Sequence, residues 1–280
     1  MDDADRQASL EAMADVARAA RHPTTPGPAA DPEALRQAYL GLLKLALCDL
    51  VGPTTESLTP APDGTVLSQV LEGGWRRVRS AGLDWPRHGL TMVGLARLDD
   101  LQACVETVVT DGVEGDVIEA GSWRGGAALL ARATLDSLGD PREVVVADSF
   151  QGFRVADAGD SDLTRFEHLV APEEQVRTSF ANLGLDRGVT FLPGYFEETL
   201  ATLAGRRWAL VRLDGDTYEA TRTGLDALYD GLTPGGYLVL DDYGSFQGAR
   251  RAADEFRAQR GITEPIERID YTGARWRKGG

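Results

Sequence analysis

The stretch GDVIEAGSWRGGAALLAR, residues 115–132, joins a short apolar run to a helical pattern through a glycine-rich turn. The apolar run has the length of a buried strand, and Gly121 and Gly125 mark the turn. Four more runs share this character, and they cover residues 143–149, 188–194, 208–216 and 236–242. Helical patterns lie between these runs. Buried strands that alternate with helices predict an α/β fold whose mostly parallel sheet is covered on both faces.

The 280 residues are enough for one large α/β domain, and the patterns divide them into three parts. Residues 1–32 carry a short helical pattern at 8–20 and a proline-rich tract, and we predict a flexible extension there. Residues 33–112 carry mainly helical patterns. Residues 113–280 form the predicted α/β core.

Within the second part, the spacing of apolar residues predicts helices at 35–51, 66–82 and 99–112. At the end of the core, two short strands are predicted on either side of a turn at 271–273. The helix at 35–51 has too wide an apolar face for an exposed surface, so we expect it to contact a ligand or a second protein chain.

The composition argues against several classes of partner. A formal charge of −15 makes nucleic acid or an anionic membrane surface an unfavourable partner. The sequence contains no run of about 18 apolar residues and no apolar leader, so we predict neither a membrane span nor secretion. Cys48 and Cys104 are the two cysteines, and unpaired thiols suit the reducing cytoplasm. We therefore expect a cytoplasmic protein that acts on small molecules.

Acidic residues at two successive strand ends indicate which nucleoside cofactor binds. Glycines after the first strand allow close approach of a ligand, but Glu119 lies beside them and Trp123 replaces the central glycine of a dinucleotide motif. A carboxylate repels a pyrophosphate, whereas it suits the amino group of S-adenosylmethionine. Asp148, at the end of the next strand, is placed for the ribose hydroxyls. This pair favours S-adenosylmethionine over a nicotinamide cofactor.

A second group of carboxylates follows the fourth and fifth strands, in LDGDTY and LDDY. Because neighbouring parallel strands lie about 4.8 Å apart, Asp214, Asp241 and Asp242 should converge at one edge of the sheet. Three carboxylates at this separation need a cation, and an all-oxygen ligand set favours Mg²⁺. The alternative for Asp241 and Asp242 alone is capping of a helix N-terminus. We expect that structural role for Asp216, ahead of the helix that begins at Thr217.

Other protein classes share parts of this pattern. A metal-dependent nucleotide-sugar glycosyltransferase has a DxD motif like the one at 214–216, but it does not need acidic residues at the two earlier strand ends. An aspartyl phosphatase would need a lysine between its two acidic motifs, and the 27 residues from Asp214 to Asp241 leave no room for it. A catalytically inactive partner subunit is disfavoured because the acidic ligands are intact.

Seven segments together resemble the macrocin O-methyltransferase family, the sugar O-methyltransferases of antibiotic biosynthesis. They are AYLGLLKLAL, DWPRHGLTMVGLARLDDL, GDVIEAGSWRGG, VADSFQGF, LPGYFEETL, RLDGDTYEAT and LTPGGYLVLDDYG. The resemblance runs from about Leu35 to the C-terminus. It implies a class I methyltransferase fold, which is Rossmann-like and has seven strands with the last one antiparallel.

The resemblance also implies site residues and an acceptor. Mg²⁺ would be held by Asp214, Asp241 and Asp242. Residues 33–112 would form a helical lid and the approach to the cofactor site, and the helix at 35–51 would be part of that lid over a glycosylated small-molecule acceptor. A histidine usual in the family is replaced by Leu90, next to the cofactor site. We expect the cofactor to contact the following residues: Thr91, Met92, Glu119, Gly121, Ser122, Gly125, Asp148, Ser149 and Phe196. We further expect a homodimer.

The expected reaction is an in-line methyl transfer from S-adenosylmethionine to a hydroxyl oxygen, with a phenolic acceptor as the alternative to a sugar. Related catechol-type methyltransferases use a lysine base at the position of Thr217, and the sequence has no lysine near it. We therefore predict that Asp214 takes the proton, with Asp216 as the second candidate. His22 lies in the proline-rich tract, whereas His88 and His168 lie in predicted loops, and none of these three histidines is expected to be catalytic.

Overall fold

The protein is described here by a computed structural model that covers residues 31–61, 65–71, 73–154 and 169–280. The predicted helix at 8–20, His22 and His168 lie outside these residues. None of the helices in the described part of the chain combines the length and the apolar character that crossing a membrane requires.

The chain from Pro32 to Thr110 forms three helices and a small antiparallel sheet of order β2-β1-β3. In chain order these elements are α1 (Pro32–Leu47), β1 (Thr55–Pro60), β2 (Val66–Leu71), α2 (Trp75–Ser80), β3 (Trp85–Pro86) and α3 (Gly94–Thr110). Asp31 caps α1, because its side chain accepts a hydrogen bond from the N–H of Ala34 at 2.7 Å.

The predicted helix at 66–82 is wrong over its first half. Residues Val66–Leu71 pair with β1 as a strand, which satisfies their backbone groups across the small sheet. Leu67 and Val70 remain 48% and 59% exposed there, so no buried helical face constrains this segment. Gly74, with a φ of +75°, separates the strand from the short helix α2. Helix α3 also begins at Gly94, ahead of the predicted start.

The core is a seven-stranded sheet of order β6-β5-β4-β7-β8-β10-β9. Its strands are β4 (Asp116–Ala120), β5 (Val144–Asp148), β6 (Val189–Pro193), β7 (Trp208–Leu213), β8 (Leu232–Leu240), β9 (Glu267–Arg268) and β10 (Ala274–Arg277). The first five are parallel, and β10 runs antiparallel to both β8 and β9. This confirms the predicted class I methyltransferase topology.

Helices cover both faces of this sheet. They are α4 (Gly126–Leu138), α5 (Glu173–Asn182), α6 (Phe196–Thr199), α7 (Tyr218–Leu228) and α8 (Gln247–Arg260). Along β5, Val144 and Val146 pack in the layer that contains α1, α3 and α4, whereas Val145 and Ala147 pack in the layer that contains α7 and α8. This two-residue alternation is the signature of a strand buried on both sides.

Helix α1 packs its buried residues Leu40, Leu43 and Leu47 into the first of these layers. On its other side, Leu35 and Leu42 are 54% and 57% exposed. None of its residues lines the main cavity in the described part of the chain. Its function as a lid, and the homodimer, stay predictions.

Gly121 fixes the spacing between the ends of β4 and β7. Its φ is +90°, and a Cβ atom there would lie 1.7 Å from the carbonyl oxygen of Asp214. The N–H of Asp214 also donates to the carbonyl of Ala120 at 2.8 Å. The glycine-rich turn that follows β4 is therefore in direct contact with Asp214 at the end of β7.

Candidate active site

A cavity of about 880 Å³ opens at the carboxyl ends of the parallel strands. This is the edge at which open α/β sheets bind ligands. Its wall includes eight of the nine residues expected at the cofactor: Thr91, Met92, Glu119, Gly121, Ser122, Asp148, Ser149 and Phe196. The ninth, Gly125, lies behind the wall as the residue that precedes α4, with a φ of +81°. The small sheet contributes Ser57, Leu58 and Trp85 to the same wall.

Asp148 holds the glycine-rich turn as well as facing the cavity. Its Oδ2 accepts hydrogen bonds from the backbone N–H groups of Ser122, at 2.7 Å, and Trp123, at 3.1 Å. Trp123 has a φ of +48°, which is unfavourable for a large side chain and is stabilised by this contact. The predicted ribose ligand is therefore also a structural residue of the turn.

We expect the variant Asp148→Ala to bind S-adenosylmethionine about tenfold to a hundredfold more weakly. The reason is the loss of a charged hydrogen bond, worth roughly 1.5–3 kcal/mol, to the ribose and the turn. Isothermal titration would measure the affinity. Asp116→Ala is the matched control, because Asp116 also accepts a backbone N–H bond, from Glu143 at 2.9 Å, but at the opposite edge of the sheet. Unchanged cofactor affinity in folded Asp148→Ala would contradict the assignment.

Glu119 is 3% exposed and is held from two sides. Its Oε2 accepts a bond from the N–H of Ala128 in the first turn of α4, at 2.8 Å, and its Oε1 accepts one from Nη1 of Arg212, at 2.6 Å. Burial raises the pKa of Glu119 to about 8, and the charge of Arg212 opposes this shift. These two bonds give the carboxyl group of Glu119 a fixed orientation beside the glycine-rich turn, and its role as the ligand of an amino group stays a prediction.

Arg212 is the central cation of the site, and the sequence analysis missed it. It lies in β7, where every residue is buried, and its guanidinium donates to Glu119, to Asp214 at 2.9 Å, and to Asp241. Arg97 of α3 donates to the other oxygen of Asp241 and to Asp270 at 3.0 Å. An arginine inside an otherwise apolar strand was the available signal, because a buried charge must be paired.

The four aspartates at the ends of β7 and β8 are therefore not grouped as the sequence predicted. Asp241 is 4% exposed, and both of its carboxylate oxygens bind arginine side chains. Oxygen atoms of Asp214, Asp216 and Asp242 lie within 4.8 Å of one another instead. We refer to these three residues as the carboxylate cluster. Compared with the expected ligand set, Asp216 takes the position of Asp241.

Asp216 does not cap the following helix, contrary to the prediction. Thr217 is the N-cap of α7, and its hydroxyl accepts the N–H of Ala220 at 3.1 Å. Asp216 has a φ of +59°, and its N–H donates to Oδ2 of Asp242 at 3.0 Å. This backbone turn directs Asp216 into the cluster.

The cluster has the properties of a divalent-cation site. Burial, and then the charge of Asp241, raises the pKa of Asp214 to about 6, while burial and the charge of Asp214 raise that of Asp216 to about 8. Burial and the neighbouring carboxylates raise the pKa of Asp242 well above its usual range. Burial is the largest cause of each shift and neighbouring carboxylates add to it, so a bound cation would stabilise the charged forms. Oxygen donors alone are the ligands of Mg²⁺, so the residues fit this ion.

Lysine and histidine side chains of the described residues do not contribute to the cavity wall. Lys44 pairs with Asp99, and Nζ of Lys278 donates to the carbonyls of Tyr229 and Leu232. His88 is exposed and, like both lysines, is not part of the described cavity wall. The described residues therefore offer carboxylates as the proton acceptors of the cavity.

A Rossmann-like sheet with this glycine-rich turn and this acid-lined cavity defines an S-adenosylmethionine-dependent methyltransferase. The sequence model of the Macrocin-O-methyltransferase (TylF) family matches residues 67–278, and the chain belongs to this family.

Similar proteins cover nearly the whole chain. An 8-demethyl-8-(2,3-dimethoxy-alpha-L-rhamnosyl)-tetracenomycin-C 4'-O-methyltransferase of Streptomyces olivaceus is 43% identical over 254 residues, which cover 88% of this chain and 94% of the relative. Mycinamicin III 3''-O-methyltransferase of Micromonospora griseorubida is 41% identical over 255 residues, covering 86% and 96%. The structure of the O-methyltransferase NovP superposes with a TM-score of 0.76 at 36% identity, and covers 88% of this chain and 100% of NovP. The predicted family and enzyme class are thereby confirmed.

Proposed function

We propose that the protein transfers the methyl group of S-adenosylmethionine to a sugar hydroxyl of an uncharged glycosylated natural product, and that it needs Mg²⁺. The observation that carries this proposal is the presence of two acidic centres in one cavity. Glu119 and Asp148 lie at the cofactor turn, and the carboxylate cluster lies at the ends of β7 and β8. The names of the two relatives specify methylation of an oxygen in a rhamnosyl-tetracenomycin and in mycinamicin III.

The charge of the cavity supports an uncharged acceptor and a cationic methyl donor. Its described wall contains two basic residues, Arg97 and Arg212, and both are engaged by carboxylates. The wall also contains these acidic residues: Asp84, Glu119, Asp148, Glu197, Asp214, Asp216, Glu219, Asp241 and Asp242. A sulfonium ion is attracted to such a surface, and a pyrophosphate is repelled. This favours a methyl donor over a nucleotide-sugar donor, and a glycoside over a sugar nucleotide as acceptor.

In the proposed reaction, the acceptor oxygen attacks the sulfonium methyl carbon in line. The C–O bond forms as the C–S bond breaks, S-adenosylhomocysteine leaves, and the hydroxyl proton passes to a carboxylate of the cluster. Bound Mg²⁺ would supply Lewis acidity that favours the alkoxide form of the hydroxyl. Holding both substrates in one cavity contributes a further large part of the rate.

Local contacts favour Asp216 over Asp214 as the proton acceptor, the reverse of the order proposed from sequence. Oδ2 of Asp214 already accepts a bond from Arg212 at 2.9 Å, which stabilises its carboxylate form. The carboxyl group of Asp216 lies against Asp242 instead, and its pKa is raised to about 8. Of the two groups Asp216 is therefore the more basic, and a stronger base accepts the hydroxyl proton more readily.

Product analysis tests the proposed function directly. The enzyme would be incubated with methyl-labelled S-adenosylmethionine, Mg²⁺ and four acceptors: a rhamnosyl polyketide, its aglycone, a nucleoside-diphosphate rhamnose and a catechol. We expect one methyl group on the sugar of the rhamnosyl polyketide, located by fragmentation mass spectrometry. Labelling of the catechol or the aglycone alone would establish the phenolic alternative, and preference for the sugar nucleotide would refute the argument from cavity charge.

A further inference from the structure

Arg124, in the glycine-rich turn, binds three backbone carbonyl groups of a segment from another region of the chain. Its Nη1 donates to the carbonyl oxygens of Pro86 at 2.9 Å, Arg87 at 3.0 Å and Gly89 at 2.8 Å. Its guanidinium carbon also lies 4.1 Å from the ring centre of Trp123, a residue of the cavity wall. Burial lowers the pKa of Arg124 to about 10, so the group stays cationic at neutral pH.

The segment that Arg124 binds lines the cavity at both of its ends. We call residues 85–92 the strap. At its beginning, Trp85 pairs with Leu58 of β1, and both residues line the cavity. At its end, Thr91 and Met92 line the side where the cofactor is expected.

The strap is fixed at its second half by backbone bonds. The N–H of Gly126, the first residue of α4, donates to the carbonyl of Leu90 at 2.9 Å. A Cβ atom on Gly126 would lie 2.6 Å from that oxygen, so the two segments touch. From the opposite side, the carbonyl of Leu47 accepts the N–H groups of Leu90, at 2.7 Å, and Thr91, at 3.3 Å. Arg124 connects the first half of the strap to the glycine-rich turn.

We propose that Arg124 is a positioning residue that couples cofactor binding at the glycine-rich turn to the placement of the strap, and through it to the acceptor wall formed by Trp85 and β1. The inference rests on the proposed function, because it assigns S-adenosylmethionine to the turn and the acceptor to the wall beyond it. Ordering of the turn by the cofactor would restrain Arg124, and three carbonyl contacts would transmit that restraint to the strap.

Arg124→Met is the informative variant, because it keeps an unbranched apolar stem and removes all donors. We expect it to bind S-adenosylhomocysteine about tenfold more weakly, and to raise the KM for the acceptor more than it lowers kcat. Hydrogen exchange at residues 86–92 should slow when S-adenosylhomocysteine binds the wild-type protein, and should not respond in the variant at saturating ligand. Arg124→Lys, which keeps one charged donor group, should restore part of both effects.

Arg132→Met is the matched control, since Arg132 lies on α4 and binds carbonyls too. It donates to Arg142 at 2.7 Å and to Asp140 at 3.2 Å, outside the described cavity wall. This variant should lose thermal stability but keep the cofactor affinity and the exchange response. The coupling is refuted if Arg124→Met responds like the wild type, or if Arg132→Met shows the same losses. Should Arg124→Met not fold, Arg124→Gln, which also removes the charge, replaces it in this comparison. A wild-type protein that does not bind S-adenosylhomocysteine would refute the proposed function itself.

Discussion

Chelation of divalent cations with EDTA should abolish methyl transfer, and excess Mg²⁺ should restore it. A sugar hydroxyl has a pKa far above neutral, so its oxygen needs Lewis-acid assistance as well as a base. The carboxylate cluster supplies three oxygen ligands within 4.8 Å of one another. A radiometric transfer assay over a series of free Mg²⁺ concentrations measures the effect. Full turnover in excess chelator would rule out the metal.

The same cluster predicts how the Mg²⁺ requirement depends on pH. Metal binding requires deprotonated ligands, and the pKa values of Asp214 and Asp216 without metal are raised to about 6 and about 8. Protons therefore compete with Mg²⁺ over this range, so the concentration needed for half-maximal activity should rise as the pH falls from 8 to 6. Binding of S-adenosylhomocysteine in EDTA serves as the control, because the cofactor turn should stay intact without metal.

The sheet was predictable because each core strand is marked by its own sequence. Each of the five apolar runs leads into a glycine or an acidic residue, and these strand ends meet at one edge of a parallel sheet regardless of how the side chains pair. The segment Val66–Leu71 was mispredicted for the opposite reason. It is mostly exposed, so its conformation depends on pairing with β1, a contact that a local pattern does not contain.

The sequence predicted at which edge of the sheet the site lies, but not which of its side chains pair with one another. Sequence placed Asp214, Asp241 and Asp242 at the same edge, and the cavity lies there. The sequence could not show that Asp241 pairs with Arg97, which is 144 residues away in the chain. Nor could it show that Asp216 is directed into the carboxylate cluster. Arg212 could have been predicted as a residue of the site, since the two-residue period of a strand puts it on the same side of β7 as Asp214.

Replacing Asp216 by asparagine should lower kcat by about a hundredfold to ten-thousandfold, the usual contribution of a general base. The amide keeps the size of the side chain and one oxygen ligand, but it does not take the proton. Raising Mg²⁺ should therefore not restore the rate. The acidic limb of the pH dependence of kcat should also flatten, because the group whose deprotonation it reports is gone. Titration with S-adenosylhomocysteine should give wild-type affinity and show that the fold is intact.

The variant Asp214→Asn tests whether Asp214 acts as a metal ligand or as the proton acceptor. This variant loses a negative charge from the cluster and weakens the contact with Arg212 at 2.9 Å, so Mg²⁺ affinity should fall. Turnover should be low at ordinary Mg²⁺ and recover substantially as the ion approaches saturation, while the acidic limb of the pH profile remains. If Asp216→Asn instead keeps most of its kcat and Asp214→Asn stays inactive at saturating Mg²⁺, Asp214 is the base, as the sequence first indicated. In that case the bond from Arg212 would orient Asp214 for proton transfer, because a carboxylate held through one oxygen presents the other to the acceptor hydroxyl.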